Sequence, residues 1–133
     1  MARPRSPHPT ESELQVLEVL WHSGPATLRE IHEAIRARRK IGLTTTLKKV
    51  QIMVDKGLVH RQAHTRPARY TAASRRTAVR GRMLKDLVAR AFQGSGRALL
   101  VQAVREGIVS AEELRESQRL IDAARRHERA GGS

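Results

Sequence analysis

Cysteine is absent from this 133-residue chain. That excludes disulfides, thiolate metal sites and thiol redox sensing, and it suits a reducing cytoplasm. Aromatics are nearly as scarce, with one Trp, one Tyr and one Phe, 2% of the residues. A core must therefore come from aliphatic side chains and alanine within a 39% hydrophobic fraction. A small single domain built this way is marginal, and burial between two copies is the usual remedy. No apolar run approaches the roughly 20 residues needed to cross a bilayer. The basic helices also lack the aromatic anchors of membrane-surface helices. The opening MARPRSPHP is basic but has no apolar centre, so residues 1–9 are expected to form a frayed arm rather than a signal peptide.

Acids are the other shortage: 13 Asp and Glu stand against 26 Lys and Arg, giving a net charge of +13 and a pI near 11.6. Such an excess favours a polyanionic partner, nucleic acid first. The distribution sharpens this. Between Arg36 and Arg69 the bases are Arg36, Arg38, Arg39, Lys40, Lys48, Lys49, Lys56, Arg61, Arg66 and Arg69, and the only acid is Asp55.

What is present is helical punctuation. Thr10 with Glu13, and Thr27 with Glu30, each read as a capping box, in which a hydroxyl and a carboxylate satisfy two orphan amides reciprocally. The first box opens a helix carrying Leu14, Val16, Leu17, Leu20 and Trp21, which Gly24-Pro25 ends. The second opens a helix with Leu28, Ile31, Ala34 and Ile35 on one face; His22 and His32 are expected on helix surfaces. A third helix is predicted from Thr44 or Thr45 to Lys56, with Thr46, Val50, Met53 and Val54 inward and Gly57 as a left-handed cap. Leu58 to Gln62 and Ala68 to Ala72 read as strands joined by the loop Ala63 to Pro67. Three helices followed by a hairpin is the winged-helix order, which places the third helix in a DNA major groove.

Ser74 begins a different region. The spacing predicts a long helix from about Arg75 to Phe92, a short one over Ala98 to Val104, and a last one that Ser110 and Glu113 cap. The expected fold class is mainly α with a small β-hairpin. A winged helix-turn-helix domain (10–73) precedes a helical dimerisation domain (74–127), and a disordered tail follows (128–133). The apolar positions Met83, Leu84, Leu87, Val88, Phe92, Leu99, Leu100, Leu114 and Ile121 are the candidate dimerisation residues.

The candidate DNA-contacting set is Thr27, Thr44, Thr45, Thr46, Leu47, Lys48, Lys49, Gln51, Arg66 and Arg69. Lysines suit phosphate or guanine, threonine suits hydrogen bonds or the thymine methyl, and glutamine can read adenine. Arg66 at the wing tip could reach a backbone or minor groove. His60 and His64 flank the wing, but no carboxylate lies between them and the spacing is not that of a ligand set. No metal and no cofactor are expected. Nothing resembles a phosphate loop, a zinc-hydrolase helix or a nucleophile elbow, so catalysis is not expected either.

The segments TESELQVLEVLWHSGPATLREIHEAI, IGLTTTLKKVQIMVDKGLV and ARYTAA resemble the penicillinase-repressor (BlaI/MecI/CopY-type) family, over nearly the whole chain from Thr10 to about Ile121. The resemblance implies a cytoplasmic, intertwined homodimer that represses transcription at an inverted repeat near TACA/TGTA in double-stranded DNA. It places the recognition positions on Thr44, Thr45, Leu47 and Lys48, with Thr46, Val50 and Met53 beneath them. Leu43 stands where many relatives have tyrosine, and Thr46 where valine is usual; Lys48 and Lys49 add charge. One branch of the family is induced when a membrane sensor protease signals cleavage at an Asn-Phe bond, and here that place holds Gln102-Ala103. The copper-responsive branch uses carboxy-terminal cysteines, which this chain lacks. The alternative to a sequence-specific repressor is an architectural protein that coats DNA without sequence preference.

Overall fold

The computed structural model describes residues 8–131. The arm expected over 1–9 lies mostly outside them, as does the end of the tail. The chain runs α1 (Glu11–Ser23), β1 (Ala26–Thr27), α2 (Leu28–Arg36), α3 (Leu43–Asp55), β2 (Val59–Gln62), β3 (Arg69–Ala72), α4 (Arg76–Ala91), α5 (Gly96–Arg105) and α6 (Ala111–Gly131). It divides into two compact units, residues 1–84 and 85–133.

In the first unit both capping boxes form. The Thr10 hydroxyl accepts from the Glu13 amide at 3.2 Å and the Glu13 carboxylate accepts from the Thr10 amide at 2.9 Å. Thr27 and Glu30 repeat this at 3.2 and 3.3 Å. Such caps are worth about 1 kcal/mol each. The apolar stripes then meet: Val16, Leu17 and Leu20 of α1, Ile31 and Ile35 of α2, and Val50 and Met53 of α3 are buried together with Leu58, Val59 and Tyr70. Full burial of such a side chain contributes about 1.5–3 kcal/mol.

The sheet has three antiparallel strands in the order β1-β3-β2. The predicted hairpin pairs Val59 with Ala72 and Gln62 with Arg69. β1 was not visible in the sequence; Ala26 and Thr27 pair with Tyr70 and Arg69 across the chain. Two residues carry no periodicity, so only the partner strand makes them a strand.

α3 begins at Leu43, earlier than the threonine cluster suggests, because Gly42 is its N-cap and supplies no side chain. Its end is a Schellman turn: the Leu58 amide reaches Met53 O at 2.9 Å and the Gly57 amide reaches Val54 O at 3.0 Å. Gly57 has φ +77°, where a Cβ would be strained.

The start of α4 belongs to the first unit. The Trp21 indole donates to Ser74 O at 2.9 Å, Arg76 lies 5.5 Å from the Trp21 ring centroid and pairs with Glu18 at 2.8 Å, and Val79 is buried. The units therefore part inside α4 rather than at Ser74, where the composition changes.

The second unit contains the rest of α4, with α5 and α6. Ser95 caps α5 through the Ala98 amide at 3.0 Å, and Ser110 with Glu113 caps α6. The helix α6 continues to Gly131. The disordered tail expected from residue 128 is thus corrected over 128–131, where Glu128 and Arg129 suit a solvated helix. No residue of 85–131 is fully buried. Among the described residues no helix is long and apolar enough to cross a membrane.

Candidate nucleic-acid interface

α3 shows the solvent one continuous polar stripe. At 100° per residue, Thr44, Lys48, Gln51 and Asp55 share one side of the helix, and all four are exposed. Thr45 is exposed at its edge, while Leu47 and Lys49 are half-buried flanks. Thr45, Lys48, Lys49 and Ile52 also line an open groove of about 500 Å³ with Thr10, Ser12, Glu13 and Lys56.

The wing stands behind this helix as β2, β3 and their loop. The Thr65 hydroxyl donates to Gln62 O at 3.0 Å and accepts from the Arg69 amide at 3.1 Å, which closes the loop. Arg66 is exposed at the tip, and His60, Arg61 and His64 are exposed as well. Arg69 is drawn elsewhere: its guanidinium reaches Glu30 at 3.5 Å and Pro25 O at 3.3 Å. The Glu30 carboxyl is held below its ordinary range, chiefly by hydrogen bonds from the Thr27 hydroxyl and amide, with a smaller contribution from Arg69. Arg69 thus ties the wing to the start of α2. By contrast, among the described residues no carboxylate lies within 4.0 Å of Lys48, Lys49, Arg61 or Arg66. These four cations are available to phosphates.

Several sequence expectations need correction. Thr46 is fully buried, so its side chain is removed from any DNA-facing surface. Its hydroxyl lies 2.9 Å from His32 Nδ1 and 3.4 Å from Gly42 O. His32, expected on a helix surface, is buried with it. Thr27 is buried too, its hydroxyl engaged in capping α2. Lys56 counted toward the cationic face in the sequence, yet its side chain is buried. Its ammonium sits 2.7 Å from Glu13 Oε1, with side-chain exposures of 7% and 5%, and 3.3 Å from His8 O. Burial alone would raise the Glu13 pKa, but the hydrogen bonds and charge of Lys56, with those from Thr10, bring it below the ordinary value. The missed partners are far apart in sequence, so no local pattern signals them.

Among the described residues no group of three or more His, Asp or Glu side chains is placed to hold a metal ion. The dimerisation candidates lie on α4, α5 and α6, with Phe92 just past the end of α4. Met83, Val88, Phe92, Leu99 and Leu114 are half-buried, and Leu84, Leu87, Leu100 and Ile121 are exposed.

Helix-turn-helix, wing and an unpaired cationic face together define a winged-helix protein of the nucleic-acid-binding class. Known sequences narrow this. The profile of the penicillinase repressor family matches residues 9–123, and the chain belongs to that family of DNA-binding transcriptional repressors. It is 33% identical over 114 residues, 84% of this chain and 83% of the relative, to Transcriptional regulator BlaI of Mycobacterium tuberculosis strain CDC 1551 / Oshkosh. The figures are the same for the protein of that name in strain ATCC 25618 / H37Rv.

Proposed function

We propose that the chain is a cytoplasmic homodimer that reads an inverted-repeat operator and represses by occluding the promoter. The observation that carries this is the exposed stripe Thr44, Lys48 and Gln51 on α3, flanked by Lys49 and by the wing cations Arg61 and Arg66, with no carboxylate within 4.0 Å of these cations among the described residues. Lys48 and Lys49 meet phosphate or guanine, Gln51 offers the amide that pairs with adenine, and Thr44 and Thr45 suit a phosphate or a thymine methyl. Leu47 supplies apolar contact, and Arg66 meets an adjacent backbone or minor groove. Arg69 and Thr27 act indirectly, by holding the wing against α2.

The dimer reading is supported by a second unit that, among its described residues, buries nothing fully while exposing Leu87, Leu100, Val101 and Ile121, with Leu84 exposed just before it. Apolar helices without an interior of their own gain one by pairing with a second copy. Two copies would set two α3 helices about one helical turn of DNA apart. The Gln102-Ala103 pair at the place of the family's Asn-Phe bond argues for induction by a route other than cleavage there.

The test is a gel shift on the DNA upstream of the chain's own gene, with a scrambled duplex as control and salt varied. Preference for the upstream DNA, with log affinity falling by about 0.9 per neutralised phosphate per log unit of salt, supports the reading. Equal affinity for the scrambled duplex at moderate salt sinks it in favour of an architectural DNA-coating protein.

A further inference from the structure

The three helices of the winged unit are not started in the same way. α1 and α2 each begin with a two-way capping box. α3 begins at Gly42 with no side-chain cap at all, although its first turn carries Thr44 and Thr45 and leads into Lys48. An uncapped first turn on an exposed helix frays unless something else holds it. Here the remaining anchor lies beneath. Thr46 is wholly buried, its amide bonds to Gly42 O at 3.1 Å, and its hydroxyl lies 2.9 Å from Nδ1 of buried His32.

The surroundings are apolar: Ile31, Ile35, Val50 and Met53 are all buried. Apolar contacts there resist separation of the helices but tolerate small rotations and slides, because dispersion is not directional. A hydrogen bond tolerates neither, because it weakens steeply away from its preferred geometry. Buried in an apolar setting, each member also costs free energy if the other moves away. The Thr46 hydroxyl has a single proton, and it lies between the His32 ring and the N-cap carbonyl of α3. One side chain of α2 therefore fixes both the rotation of α3 and the start of its first turn.

We infer that the His32–Thr46 pair is a positioning device that sets base discrimination, by holding the register of the α3 face on the helix that precedes it. This rests on the DNA-reading function proposed above. Neither residue touches DNA. Base contacts depend on side-chain placement to a fraction of an ångström, whereas contacts to phosphate tolerate small displacements. Losing the pair therefore lowers preference among sequences while leaving the charge-driven affinity in place.

The test uses the full chain. A consensus duplex is selected from a randomised library by the unaltered protein, and affinity for it is compared with that for a scrambled duplex at the same salt. The double variant His32→Leu, Thr46→Val makes the pair apolar at similar volume, and Thr46→Ser keeps the hydroxyl. The expected result is an approximately tenfold fall in the consensus-to-scrambled ratio for the double variant, with scrambled affinity and salt slope unchanged. Thr46→Ser should retain the ratio. An unchanged ratio in a folded double variant overturns the inference, as does an equal loss on both duplexes. Should the double variant fail to fold, Thr46→Val alone decides on the same ratio, and should that fail to fold too, the pair is structural and the inference falls. If the unaltered protein selects no consensus, the repressor reading fails and takes this inference with it. Selection by the unaltered protein with an unchanged variant ratio defeats the inference alone.

Discussion

The two units of this chain use similar aliphatic residues to opposite ends. The first gathers Leu17, Ile31, Val50 and Met53 into an interior where none is more than 1% exposed. The second strings Leu87, Leu100, Leu120 and Ile121 along helices that leave Leu120 73% exposed and Leu100 49% exposed. What differs is whether the chain folds back on itself: three helices, a sheet and a Schellman turn reverse direction around one centre, whereas the second unit is the end of one helix and two more, with no sheet beneath them. A unit that completes its interior can stand alone. One that does not needs apolar surface from elsewhere.

The sharpest way to break this comparison is Leu87→Asp with Leu100→Asp. Placing two charges in the proposed dimer contact should weaken self-association by about 1,000-fold, roughly 4 kcal/mol. Sedimentation should then show monomer with the winged unit still folded. A variant that sediments unchanged would remove these residues from the contact.

Next in size is the buried ion pair of the first unit. Lys56→Met strands the Glu13 carboxylate and should cost about 3 kcal/mol in urea unfolding. The sign with pH follows from Glu13, whose folded pKa lies below its ordinary value near 4.5. Its stabilisation is fully present above that ordinary value and is lost as pH falls through the folded pKa. The unaltered protein should therefore lose more stability than Lys56→Met between about pH 5 and pH 3. Equal losses would show that the pair does not carry the acid dependence.

Lys48→Ala should weaken binding to the selected duplex by about tenfold and lower the salt slope by about 0.9 if Lys48 meets a phosphate. An unchanged slope with lower affinity would assign it to a base. Gly57→Ala should cost about 1 kcal/mol, because φ +77° disfavours a Cβ. At the small end, Arg36→Ala removes an exposed pair with Glu33 at 4.0 Å and should change stability by less than about 0.5 kcal/mol. A larger effect would mean that the α2 surface is covered in the assembly.

What the sequence made legible was whatever depends on neighbours along the chain. Both early capping boxes and the Ser110 cap follow from residues three positions apart, and the Gly57 turn and the hairpin strands from short runs of neighbouring residues. What stayed hidden depends on partners far away. β1 exists because Tyr70 and Arg69 come to meet it. Lys56 looks like part of a cationic face until Glu13 arrives across the fold. His32 and Thr46 look like a surface residue and a DNA contact until they are placed against each other. Of the candidate site, Thr44, Thr45, Lys48, Gln51 and Arg66 were found exposed where expected, because helical spacing and a hairpin tip determine exposure directly.

The bond from the Trp21 indole to Ser74 O has a practical consequence. Trp21 and Tyr70 are the only tryptophan and tyrosine in the chain, and both lie in the first unit. Indole emission therefore watches the winged unit, and in particular whether the start of α4 stays joined to it. Far-ultraviolet circular dichroism sees every helix, including α5 and α6. Heating the protein while recording both signals compares melting of the winged unit with loss of the remaining helices, without any added dye or engineered label.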